Sequence, residues 1–152
     1  MRILMVCLGN ICRSPLAEGI LKHKIDKRGL NWYVDSAGTS SWHEGEKPDA
    51  RSIAVAKKNN VDITHQRSRQ FSVEDFDLYD RIYTMDSENY DSLYSLAHTE
   101  DHRAKLELIL NESTPGQNLP VPDPYWDDDG FDKVFAMLDE ACESIVSMNN
   151  EH

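Results

Sequence analysis

Four short apolar runs are separated by stretches in which apolar residues recur at helical spacing. Ile3-Leu4-Met5-Val6 has no polar alternate, so it predicts a strand buried on both faces. The turn Leu8-Gly9-Asn10 follows, and Ser14-Pro15 opens a helix with proline at its first position. Leu16, Ala17, Ile20, Leu21 and Ile25 make the inner face of that helix, and Gly29 closes it. Trp32-Tyr33-Val34 predicts a second strand, ending in Asp35-Ser36-Ala37-Gly38-Thr39. A polar loop leads to a helix from near Pro48, through Ile53, Ala54 and Ala56, to about Asn60. Arg81 to Met85 predicts a third strand, followed by a helix carrying Tyr90, Leu93, Tyr94 and Leu96, and Leu106 to Ile109 a fourth strand. A proline-containing loop, Pro115 to Asp129, precedes a last helix from about Phe131 to Met148. Its stripe Val134, Leu138, Ala141, Ile145 takes in Cys142 as a small core residue.

Strands alternating with helices predict right-handed crossovers, hence an α/β fold with a parallel sheet covered on both faces and one domain over 1–152. Such sheets bind ligands at the carboxyl ends of their strands, which is where this reading puts Cys7.

Composition narrows the function classes. The chain of 152 residues is 39% apolar and 28% charged, enough for a packed core. No apolar run approaches the roughly 20 residues of a membrane span, and no charged-then-apolar leader precedes the first strand, so the expected setting is cytoplasmic, without membrane insertion. A net charge of −11 argues against non-specific nucleic-acid binding. The charge is unevenly placed, however. Residues 1–69 hold 12 basic and 7 acidic side chains, net +5, whereas residues 70–122 and 123–152 each carry −8.

Cys7, Cys12 and Cys142 are the three cysteines, an odd number that fits a reducing compartment. Zinc explains them poorly: the C-x4-C pair has no second ligand pair, and His23, His43, His65, His98, His102 and His152 are scattered. No metal or cofactor is expected. Cys7-Leu8-Gly9-Asn10-Ile11-Cys12-Arg13-Ser14 instead forms a C-x5-R-S loop between a buried strand and a helix start, a pattern with a chance frequency of about 0.02 in a chain of this composition. Successive N–H groups in such a turn form an anion nest, and the helix adds its positive end. Arg13 can fork two phosphate oxygens, and the same field favours thiolate over thiol at Cys7. The Ser14 hydroxyl can donate to the sulfur.

Residues 7–18 resemble the phosphate loop of the low-molecular-weight protein tyrosine phosphatases. Further similarity runs along the chain, at residues 35–39, 48–52, 67–71, Met85-Asp86 and 121–126. The resemblance implies a four-stranded parallel sheet of order 2-1-3-4 and hydrolysis of phosphotyrosine in proteins or peptides. Inorganic phosphate would be product and competing ligand. By itself, Asp123 in Pro-Asp-Pro reads as a turn former; the resemblance makes it the general acid beside the nucleophile Cys7 and the clamp Arg13. It also implies that Asn10, Ser14 and Ser36 support the loop. Some members add a histidine to this network, at the position held here by Gln66, with His65 one residue early. Trp42, Tyr125 and Trp126, all in polar loops, would wall a slot for a flat ring, with Leu8 and Ile11 on its rim. Tyr125 is a candidate phosphorylation site, and Cys12 a candidate disulfide partner for Cys7. Asp127, Asp128 and Asp129 read as a solvated cap before the last helix.

Two other activities share this fold. A thioredoxin-coupled arsenate reductase needs further cysteines, and none lies between residues 13 and 141. Protein arginine phosphatases tend to carry threonine where Ile11 stands.

Overall fold

A computed structural model describes residues 1–149. Strand β1 (Arg2–Cys7) is central, pairing in parallel with β2 (Tyr33–Gly38) on one side and β3 (Arg81–Thr84) on the other. β4 (Leu106–Leu108) completes the sheet beside β3, giving the order β2-β1-β3-β4. The unbroken apolar run of β1 has its reason here. Ile3, Met5 and Cys7 enter a core built with helices α1 (Arg13–Arg28), α2 (Ala50–Lys58) and α6 (Gly130–Asn149). Leu4 and Val6 point into the opposite core, against α3 (Asp75–Leu78) and α4 (Ser87–Leu96). A short α5 (Glu100–Ala104) leads into β4. No described helix is long and apolar enough to cross a membrane.

Several boundaries differ from the sequence expectation. Helix α1 starts at Arg13, which puts Pro15 third rather than first. Proline is tolerated there because the N–H groups of a first turn have no partner one turn back. The predicted inner stripe of α1 understates its burial, since every residue from Arg13 to Leu21 is buried, beneath the loop and between the sheet, α2 and α6. Gly29 ends the helix at φ 66°, its N–H on Asp26 O and the Leu30 N–H on Ile25 O. Ile109 belongs not to β4 but to a 3₁₀ turn, Ile109–Glu112. The helices α3 and α5, four and five residues long, are too short to show a period in sequence.

Candidate active site

The loop from Cys7 to Arg13 leaves the carboxyl end of β1 and turns into α1. Asn10 takes φ 56°, a left-handed conformation that asparagine tolerates better than most residues, and this turns the loop back toward Cys7. The loop packs on Gly38 so closely that a Cβ there would lie 2.8 Å from Leu8 O and 3.1 Å from Gly9 C. Glycine is therefore required by the approach of the two chains. Cys12 caps α1 without a side-chain hydrogen bond, and the first turn carries no acidic residue. The positive end of the helix dipole is thus uncompensated within the helix.

Hydrogen bonds converge on the Cys7 sulfur. The Asn10 backbone N–H donates to it at 3.3 Å, and Ser14 Oγ lies 3.1 Å away. The Asn10 side chain fixes the direction of the rest. Its Nδ2 donates to Ser14 Oγ at 2.8 Å and to Ser36 Oγ at 3.0 Å, while its Oδ1 accepts the Arg69 N–H at 3.0 Å. Because Ser14 accepts from Asn10, its own hydrogen is free to point at the sulfur; Ala37 O is a longer alternative at 3.5 Å. The segment 67–71 is bound to the same loop: Ser68 Oγ donates to Gly9 O, and Gly38 bridges to Gln70.

The far end of this network is a residue the sequence reading passed over. Ser36 Oγ donates at 2.6 Å to Glu18 Oε1, on a side chain only 8% exposed. Neither His65 nor Gln66 takes that place. His65 is exposed, and buried Gln66 donates to Pro15 O. Burial pushes the Glu18 carboxyl up to about 7, the Ser36 hydrogen bond opposes the shift, and Asp35 adds to it. The sign of the stability effect follows. Between the ordinary glutamate range and 7 the folded chain binds more protons than the unfolded one, so this component of stability is lost as pH rises through that window. Glu18→Gln is expected to remove a loss on the order of 2–3 kcal/mol between pH 5 and pH 8. Urea unfolding of both proteins at the two pH values measures it, and an equal difference at both would exclude Glu18 as the cause.

Arg13 is buried, and Asp86, the N-cap of α4, orients it. Its Nη1 donates to Asp86 Oδ2 at 2.7 Å and to Val121 O at 2.9 Å. That leaves Nε and Nη2 for a ligand; Nη2 lies 3.9 Å from Asp123 Oδ2. Asp123 is part exposed and begins a 3₁₀ turn, Pro124–Trp126, by accepting the Tyr125 N–H on Oδ1. A cavity of about 250 Å³ brings together Cys7, Arg13 and Asp123 on its floor and side, with Leu8, Ile11, Trp42, His43, Tyr125 and Trp126 around them. His43 was not singled out from sequence. Trp42 and Trp126 are 79% and 89% exposed and form the outer rim. The acidic run beyond is exposed, as expected of a solvated cap before α6; within it Asp127 Oδ1 accepts the Asp129 N–H, and Asp128 pairs with Arg51. The cavity therefore joins an apolar slot to a cationic, N–H-rich floor that holds the Cys7 thiol, with Cys12 also lining it, a combination suited to an aryl group that bears a phosphate.

Comparison with known proteins agrees with that chemistry. The profile of a family described as low molecular weight phosphotyrosine protein phosphatase matches residues 2–151. A Schizosaccharomyces pombe protein of the same description is 39% identical over 95% of this chain and 94% of its own. A solved protein tyrosine phosphatase from Entamoeba histolytica, with Hepes in its active site, superposes with a TM-score of 0.92 at 37% identity, covering 99% of this chain and 97% of that one. An arginine phosphatase from Drosophila superposes with a TM-score of 0.91 at 36% identity, covering 98% of each chain.

Proposed function

The chain belongs to the low molecular weight phosphotyrosine protein phosphatase family, and from that premise we propose that it hydrolyses phosphotyrosine in proteins or peptides through a phosphocysteine at Cys7. The observation that carries this reading is the Cys7 sulfur, held by the Asn10 N–H and Ser14 at the foot of an aromatic-rimmed cavity that also holds Arg13 and Asp123. Donors aimed at the sulfur favour its charged form and later stabilise it as a leaving group.

In the first step the Cys7 thiolate attacks phosphorus in line. The bond from phosphorus to the tyrosine oxygen breaks, and the Asp123 carboxyl gives its proton to that oxygen. The N–H groups of Leu8 to Arg13 and the free N–H groups of Arg13 hold the equatorial oxygens. In the second step water attacks the phosphocysteine and its proton passes to the Asp123 carboxylate. The sulfur–phosphorus bond breaks, and inorganic phosphate leaves a regenerated thiolate. No metal or cofactor takes part in these steps, nor does a nucleic acid or membrane. We read the whole chain, 1–152, as one phosphatase domain working in the cytoplasm, where Cys7 is kept reduced. Cys12 supports a protective role there. Peroxide would convert the Cys7 thiolate to a sulfenic acid, and the Cys12 sulfur, giving up its proton as it attacks, would close the disulfide with release of water. Burial, followed by the nearby acidic groups, pushes the Cys12 thiol up to about 12, which slows that closure.

Phosphoarginine is the second reading, favoured by the likeness to the Drosophila arginine phosphatase. Ile11 on the cavity wall and the Tyr125 and Trp126 rings support the flat phenyl group instead. Rapid acid quench of the full chain with a phosphotyrosine peptide in chelator, followed by mass spectrometry, is expected to find phosphate on the peptide containing Cys7. Turnover with no label on Cys7, or turnover lost to the chelator, would refute the mechanism. A higher kcat/KM on a phosphoarginine peptide would move the substrate assignment.

A further inference from the structure

The segment that carries Asp123 is weakly tied to the molecule. Between Pro122 and Asp129 its backbone bonds within itself: Tyr125 N–H to Asp123 Oδ1, Asp127 N–H to Pro124 O, and Asp129 N–H to Asp127 Oδ1. Buried Val121, Pro124 and Phe131 pin it by packing. Among the described residues, one side-chain hydrogen bond reaches it from a distant part of the chain, from Arg51 Nη1 to Asp128 Oδ1. The remainder of that guanidinium is committed elsewhere. Nε and Nη2 fork onto the two oxygens of Asp49, each at 3.0 Å. Asp49 caps α2 by accepting the Arg51 N–H, and its own N–H donates to Ile11 O at 2.8 Å, in the phosphate loop. The Arg51 Cζ also lies 5.5 Å from the Tyr125 ring centroid and 4.7 Å from that of Phe131, on either side of the acidic run.

We propose that Arg51 is a positioning residue for the proton-transfer step, coupling the phosphate loop through Asp49 to the Asp123 segment through Asp128 and Tyr125. It touches no reacting atom and acts only through the placement of Asp123, so the inference rests on the reading of Asp123 as general acid. Global stability does not explain the arrangement, because a partly exposed ion pair adds little to it. A planar fork that meets two segments in fixed geometry does constrain where an acid sits, and small displacements of a catalytic group are costly.

The test compares kcat/KM for a series of aryl phosphates, from very acidic phenols to a phosphotyrosine peptide, in Arg51→Met, Arg51→Lys and Asp128→Asn. An acidic phenol departs without a proton, whereas tyrosine needs one. Arg51→Met and Asp128→Asn are expected to lose about 5- to 20-fold on phosphotyrosine and less than about twofold on the most acidic phenol, a part of the roughly 10²–10⁴-fold that a general acid supplies. Arg51→Lys keeps the charge without the fork and should lose an intermediate amount. The double variant should lose no more than the worse single one. An equal loss along the series, or none, overturns the coupling. If Asp123→Asn itself loses equally along the series, the acid assignment fails instead. Asp128→Asn leaves the α2 cap intact, so it carries the test if Arg51→Met unfolds.

Discussion

Serine in place of Cys7 is expected to lower kcat/KM on any aryl phosphate by about 10⁴- to 10⁶-fold, with binding of inorganic phosphate retained. The size follows from what surrounds the sulfur. Asn10 N–H donates to Cys7 and Ser14 can do so, while no described hydrogen bond offers the position a base. A thiolate is stabilised by such donors, but a serine hydroxyl must first lose a proton that nothing there can take. The nest and Arg13 are untouched by the change, so a phosphate titration should give a dissociation constant close to that of the parent protein. Turnover within tenfold of the parent would eliminate the covalent route.

Asp123→Asn should cost about 10²- to 10³-fold on a phosphotyrosine peptide and much less on a phosphate whose phenol is acidic. Asparagine keeps the oxygen that accepts the Tyr125 N–H, so the 3₁₀ turn persists and only the proton is lost. Neighbouring acids do not replace it. Asp128 is held by Arg51 and Asp127 by the Asp129 N–H. The dependence of kcat/KM on phenol acidity therefore separates proton transfer from loop structure, and a flat dependence in the variant would show that Asp123 is not the donor.

How legible these groups were in the sequence depended on how local their physics is. β1, its loop and the start of α1 are contiguous, and a buried run followed by C-x5-R-S before a helix announces both element and chemistry. Cys7 and Arg13, the proposed nucleophile and clamp, sit within seven residues of one another. Pro15 misled by two residues because proline is tolerated throughout the first turn, not only at its first position. Glu18 was invisible for another reason. A carboxylate amid helical apolar residues reads as a solvent-facing position, and only the packing of β2 places Ser36 against it. Arg51 and Asp128 lie 77 residues apart, so no spacing rule connects them. Asp86 likewise gains its role only when β3 lies beside β1 and its carboxylate reaches Arg13. The local pattern marked Cys7 and Arg13, whereas Glu18, Asp86, Arg51 and Asp128 take their places only through the topology.

The single side chain of Asn10 joins residues 14, 36 and 69. Two of those partners are 26 and 59 positions away in the chain, so the loop cannot take its shape from local interactions alone. During folding its closure must await β2 docking on β1 and then the return of the segment after α2, the low-probability, long-range encounters that slow a parallel sheet. Catalytic competence would then be among the last properties a refolding chain regains. Transient opening of residues 67–71 would also disarm the enzyme while most of its secondary structure stays intact.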